Sequence, residues 1–102
     1  MSLEKKYLKT KPICKVTFRV PAEMAPGAGS VNLVGEFNGW DIYAMPMQRL
    51  KDGSFKLQLD LETDRDYQFR YLIDEMDWEN DWSADGYRPT PFGNSENSVV
   101  SV

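Results

Sequence analysis

Apolar and polar positions alternate along most of this chain with a period of two, and no window of useful length keeps a helical period. Val16, Phe18 and Val20 take every second place from Lys15 onward, with Cys14 in phase. Val31, Leu33 and Phe37 share a parity. Phe55, Leu57, Leu59 and Leu61 line one face while Lys56, Gln58 and Asp60 line the other. Tyr67, Phe69, Tyr71 and Ile73 repeat the pattern against Gln68, Arg70 and Leu72, and Ser98 to Val102 close the chain. Successive side chains of a strand point to opposite faces, so these segments predict half-buried strands.

Turn signals separate them: Pro26-Gly27, Asn38-Gly39, Asp52-Gly53, Thr63-Asp64, Asp85-Gly86 and Pro91 to Asn94. Lys51-Asp52-Gly53-Ser54 is the clearest hairpin, because Asp-Gly tolerates the positive φ values of a tight turn. Six or seven short strands at this spacing predict an all-β fold, an immunoglobulin-like antiparallel β-sandwich. The sandwich is expected over residues 13–102, with residues 1–12 as a basic, solvated tail.

Length and composition narrow the functions. At 102 residues, 41% hydrophobic and 13% aromatic, the chain suits one small domain with a single core. No apolar run approaches the roughly 20 residues of a membrane helix. The start, MSLEKKYLKTKP, has no secretory apolar segment, so a cytoplasmic protein is expected. The one cysteine and the absence of histidine exclude an internal disulfide, a Cys/His metal set and a Cys-His nucleophile pair. Cys14 reads as a small buried hydrophobe. The net charge of −4 is segregated: lysines crowd the start, and residues 60–85 hold ten carboxylates against Arg65 and Arg70. A phosphate backbone needs a contiguous basic face, which excludes nucleic acid as the main partner.

Three tryptophans, Trp40, Trp78 and Trp82, fall in or beside predicted loops rather than on the alternating core faces. Each either plugs an end of the sandwich or offers a flat ring to a ligand with an apolar face, such as the C–H face of a glucose ring. In the acidic run DEMDWENDWSAD, residues 74–85, Asp77, Glu79 and Asp81 have the first spacings of an EF-hand loop. Trp82 stands where that loop needs glycine and Arg88 where it needs a bidentate glutamate, so calcium is rejected and no metal is expected. A glycosidase carboxylate pair needs a cleft that so small a sandwich does not offer. The run reads as a solvated face, with Asp81 and Asp85 accepting hydrogen bonds from loop backbone. Arg70, on the polar face of its strand, is either a surface charge or a ligand contact. In the last loop, PFGNSENS, Asn94, Ser95 and Asn97 either bond sugar hydroxyls or shape the turn.

VNLVGEFNGWD, DGSFKLQLDL, YQFRYLID with a tryptophan after it, and ENSVVSV, in this order, resemble carbohydrate-binding module family 48. That family includes the glycogen-binding domain of the AMP-activated protein kinase beta subunit and the N-terminal domains of isoamylases and glycogen branching enzymes. The resemblance implies an immunoglobulin-like sandwich that binds α-1,4-linked glucan without a cofactor. Residue by residue, it makes Trp40 and Trp78 the two stacking rings, with Trp82 competing for the second role because the turn before Trp78 is one residue longer than usual. It places Arg70 where the kinase domain has a sugar-contacting lysine, Asn97 at a glucose-bonding asparagine and Ser95 at a threonine of the same loop. Gly93, beside Phe92, stands where the kinase loop has a leucine. A freestanding, noncatalytic glucan-binding module is the expected function. The alternative is a regulatory or interaction subunit that docks on a glucan-metabolising enzyme.

Overall fold

The computed structural model describes residues 3–90 and 95–102, and over them the alternating segments become nine strands in two antiparallel sheets. The four-stranded sheet is ordered β1 (Leu3–Tyr7), β2 (Ile13–Val20), β5 (Phe55–Glu62), β4 (Gln48–Arg49). The five-stranded sheet is ordered β3 (Val31–Gly35), β6 (Asp66–Ile73), β9 (Glu96–Ser101), β8 (Gly86–Pro89), with β7 (Asp77–Glu79) also paired to β6. An antiparallel sandwich was expected; the strand count is higher because β1, β4 and β7 are too short or too charged to alternate visibly. The expected turn at Pro91 to Asn94, with Phe92 and Gly93, lies outside the described residues.

The core follows from the alternation. Cys14, Val16, Phe18 and Val20 of β2 and Tyr67, Phe69, Tyr71 and Ile73 of β6 face each other across the sandwich, all buried. Phe18 meets Phe69 edge-on at 5.1 Å between ring centroids, and Phe69 meets Tyr71 at 5.6 Å, both favoured aromatic geometries. Burial raises the Cys14 thiol above its ordinary pKa, which suits an inert core residue.

Within the expected basic tail, residues 1–12, Leu3–Tyr7 form a strand instead. β1 pairs with β2 from Leu3↔Phe18 to Tyr7↔Cys14, and Leu3 is buried in the core. Its lysines mislead because β1 is an edge strand, where charge is the usual guard against pairing with another chain. Lys5, opposite Val16, reaches Asp85 at 2.6 Å and ties this edge to the other sheet.

β3 differs too, since all five of its residues are buried rather than every second one. Its outer edge is covered by the segment 45–47: Leu33 N–H donates to the Met45 carbonyl and Met47 N–H to the Val31 carbonyl. The same segment then enters β4, which pairs with β5, so one short stretch closes both sheets at this side. The Asp52-Gly53 hairpin joins β4 to β5 as expected, with only Gly53 at positive φ (88°). Asp52 accepts from the Ser54 N–H and hydroxyl, making an Asx turn where a two-residue turn would need both positive angles.

Candidate functional site

The turn after β3 is built to present one side chain. Gly35 has no room for a Cβ, which would lie 2.7 Å from the Gln68 carbonyl oxygen and 2.8 Å from Phe69 Cβ. A single 3₁₀ turn, Glu36–Asn38, follows, and Phe37 leaves the strand pattern yet still packs on Phe18 (5.7 Å) and Tyr67 (6.2 Å). The Asn38 carboxamide clamps the turn, accepting from Gly35 N–H at 3.1 Å and donating to the Leu33 carbonyl at 2.9 Å. Gly39 (φ 65°) caps it in the left-handed region, and Trp40 N–H closes it on the Gly35 carbonyl at 2.9 Å.

Trp40 itself has φ 61°, a conformation that costs a bulky L-residue about 1–2 kcal/mol, yet its side chain stays 39% exposed. A large ring held half-open in a strained backbone gains less from burial than a core tryptophan would.

The second ring, Trp78, lies on the outer face of the same sheet. β7 pairs with β6 so that Leu72 is opposite Trp78, and Val34 of β3 is opposite Arg70. Trp78 is 45% exposed. Trp40 closes onto Gly35, whose partner in β6 is Phe69, three residues from Leu72. The backbone positions to which the two tryptophans are tied, Phe69 and Leu72, are thus offset along β6 by roughly 10 Å.

The chain reaches Trp78 through a tight turn in which Asp74 (φ 52°) and Glu75 (φ 59°) are both left-handed, closed by Met76 N–H on the Ile73 carbonyl at 3.1 Å. Asp74 is held there because its carboxylate accepts from the N–H groups of Gly29 (2.8 Å) and Ser30 (3.1 Å). The left-handed Glu75 gains nothing comparable from its side chain among the described residues. Glu75→Gly is therefore expected to raise stability by about 0.5–1 kcal/mol, a few degrees in thermal melting, without moving Trp78.

Arg70 lies on this face of β6, two residues from Leu72. One terminal nitrogen donates to the Glu96 carbonyl at 2.5 Å, and its Nε is buried without a hydrogen-bond partner among the described residues. Such an orphaned donor costs about 1–3 kcal/mol and is uncommon. Continuing the β6 to β9 register beyond Phe69↔Ser98 puts Asn97 beside Arg70, and Asn97 donates to the Gln68 side chain at 3.1 Å. Ser95 lies just before β9, where its carbonyl accepts from Thr90 N–H at 2.9 Å and its hydroxyl meets that of Thr90 at 2.7 Å. Arg70, Trp78 and Asn97 therefore share one face, Trp40 stands at the end of the strand beside it, and Ser95 shapes its margin. Asn94 lies outside the described residues.

Asp81 departs from the solvated reading. It is fully buried; its carboxylate accepts from the Tyr71 hydroxyl at 2.6 Å and from Ser83 N–H at 2.8 Å. Burial, and then the charge of Asp81, raise the Tyr71 phenol well above its ordinary value. The bond from Ser83 N–H to Asp81 is the expected one from loop backbone, whereas Asp85 accepts from Ser101 N–H at 2.8 Å, at the end of strand β9. Trp82 is 56% exposed. It lines a groove with the ends of β2 and the β4–β5 hairpin.

Residues 6–88 match carbohydrate-binding module 48 (isoamylase N-terminal domain). The chain belongs to this family. Among curated proteins, the 1,4-alpha-glucan branching enzyme GlgB of Photobacterium profundum is 45% identical to this module over 60 residues, which is 58% of the chain. The match spans 8% of that enzyme's length. No helix among the described residues of this family-48 module is long and apolar enough to cross a membrane.

Proposed function

We propose that this family-48 module binds α-1,4-linked glucan, glycogen-like or starch-like, in the cytoplasm and without catalysing a reaction, through the face carrying Trp40, Arg70, Trp78 and Asn97. The observation that carries this reading is Trp40: a strained, half-open indole at the end of a turn whose other residues all serve to place it. Pyranose rings stack their C–H faces on the two indoles, about two rings apart. Arg70 and Asn97 bond the hydroxyls between them, and Ser95 shapes the loop beside the chain. The orphaned Arg70 Nε supports this assignment, because a guanidinium drawn toward a hydroxyl finds the partner it lacks.

A shallow platform of this kind binds one chain with micromolar to millimolar Kd, roughly −8 to −4 kcal/mol, and gains strength by multivalent attachment to a polymer. Titrating maltoheptaose while following tryptophan fluorescence is expected to give a saturable change in that range. A flat response up to about ten times its weak limit removes the reading.

The similarity to part of a branching enzyme supports a further role, docking on a glucan-metabolising enzyme. Co-purification with such an enzyme that persists after amylase digestion distinguishes protein contact from a shared polysaccharide.

A further inference from the structure

Trp82 is not accounted for by the face just described, yet it is the most exposed of the three tryptophans and among the most firmly mounted. Its neighbours on both sides are pinned. Asp81 N–H donates to Ser98 Oγ at 2.8 Å, the Tyr87 hydroxyl donates to the Asp81 carbonyl at 2.5 Å, and Ser83 N–H closes an Asx turn across Trp82 onto the Asp81 carboxylate. A buried carboxylate is costly, and here it fixes two residues that flank an open indole. The same carboxylate serves the core by taking the Tyr71 hydroxyl at 2.6 Å, but the Asx turn it makes with Ser83 N–H spans the open indole, and preorganising an exposed ring lowers the ordering cost of a ligand.

The ring lines a groove of about 550 Å³ with Arg19, Glu23, Asp52, Ser54 and Ser83. Asp52 is kept ionised by the Ser54 hydroxyl and N–H, which lower its pKa, and Arg19 is steadied by Glu4 at 2.7 Å. An aromatic wall bordered by carboxylates that accept, a guanidinium that donates and hydroxyls that do both is matched by vicinal hydroxyl pairs around a pyranose. An apolar peptide would leave those groups desolvated and unpaired.

We propose that the Trp82 groove is a second saccharide site, separate from the Trp40 and Trp78 face and specific for a neutral hexopyranose unit of a glucan chain. This rests on the ligand class proposed above but on none of the same residues. Trp78 borders its own groove of about 380 Å³, lined in part by Met24, Ala25, Pro26 and Ala28, and the adjoining residues Arg19 to Glu23 line the Trp82 groove. One segment thus runs from the Trp82 groove to Trp78, and the module holds two glucan chains or two parts of a branched one.

The test is a titration of the full chain with maltoheptaose, followed through the three indole Nε1–H resonances by NMR. The Trp82 signal is expected to shift and saturate in the wild-type chain. It is also expected to shift in the Trp40→Ala/Trp78→Ala double variant, and binding, followed there through the backbone amide resonances of Ser54 and Ser83 because no indole then remains, to fall at least tenfold when Trp82→Ala is added. A Trp82 signal that stays still while those of Trp40 and Trp78 move overturns the second site and leaves the first intact. A Trp82 shift that disappears in the double variant also overturns it, because the groove would then only sense the other face. If Trp82 alone responds, the second site stands and the Trp40 reading fails.

Discussion

Asp81→Ala is expected to lower stability by about 3 kcal/mol, a large share of the roughly 5–15 kcal/mol of a domain this size, and thermal melting by roughly 12–20 °C. The loss comes from what is left behind. The Tyr71 hydroxyl, fully buried, loses its acceptor at about 1–3 kcal/mol, and the exposed Ser83 loses its Asx bond to water at about 0.5–1.5 kcal/mol. Asp81→Asn keeps one acceptor oxygen and the shape, and costs about half as much.

Tyr71→Phe tests the other partner, leaving a buried carboxylate one hydrogen bond short. It should also alter the alkaline limb of stability. Tyr71 is raised in the folded chain relative to its ordinary value of 10.0, so the folded state holds the proton more tightly. This contribution is fully present below pH 10 and is lost as the pH rises above it, where the unfolded chain ionises and the folded one resists. Chemical denaturation at pH 8 and pH 11 is expected to show a steeper loss in the wild-type chain than in Tyr71→Phe.

Trp40→Ala is expected to weaken co-sedimentation with glycogen by at least tenfold while the sandwich survives, because the residue lies at a sheet end and leaves the aromatic core untouched. Stacking on one aromatic ring contributes about 0.5–1.5 kcal/mol beyond the area it buries, and a polymer that engages many modules magnifies each loss. Trp40→Gly separates the two roles of this position. Both variants lose the indole, but only alanine retains the penalty of a left-handed Cβ. The glycine variant should therefore be the more stable by about 1 kcal/mol in denaturant melting, and equally unable to bind. Equal stability would mean that the strain at φ 61° carries no weight.

The two-sheet architecture was legible because β2, β5 and β6 alternate cleanly, and their apolar phases are the faces that meet in the core. The Trp40 turn was legible as well, since Gly35, Asn38 and Gly39 each have a distinct backbone duty that only those residue types perform. β1 was not. Its lysines carry the signature of a solvated tail, and only the pairing with β2 makes an edge strand of them. Asp81 was misread for a related reason: in a run of carboxylates nothing local marks the one that is buried, and its partner Tyr71 lies ten residues away on the inner face of β6. Trp78 and Trp82 also have similar local contexts, and it is the pairing of β7 with β6 that puts one of them on the outer face.

The account rests on sugar rings lying flat against the two indoles of the five-stranded sheet. Intermolecular nuclear Overhauser effects between maltoheptaose and the aromatic protons test this contact directly. The expected result is cross-peaks from glucose C–H protons to the six-membered rings of both Trp40 and Trp78 in a saturated sample. Saturable binding with no cross-peak to either ring would contradict it.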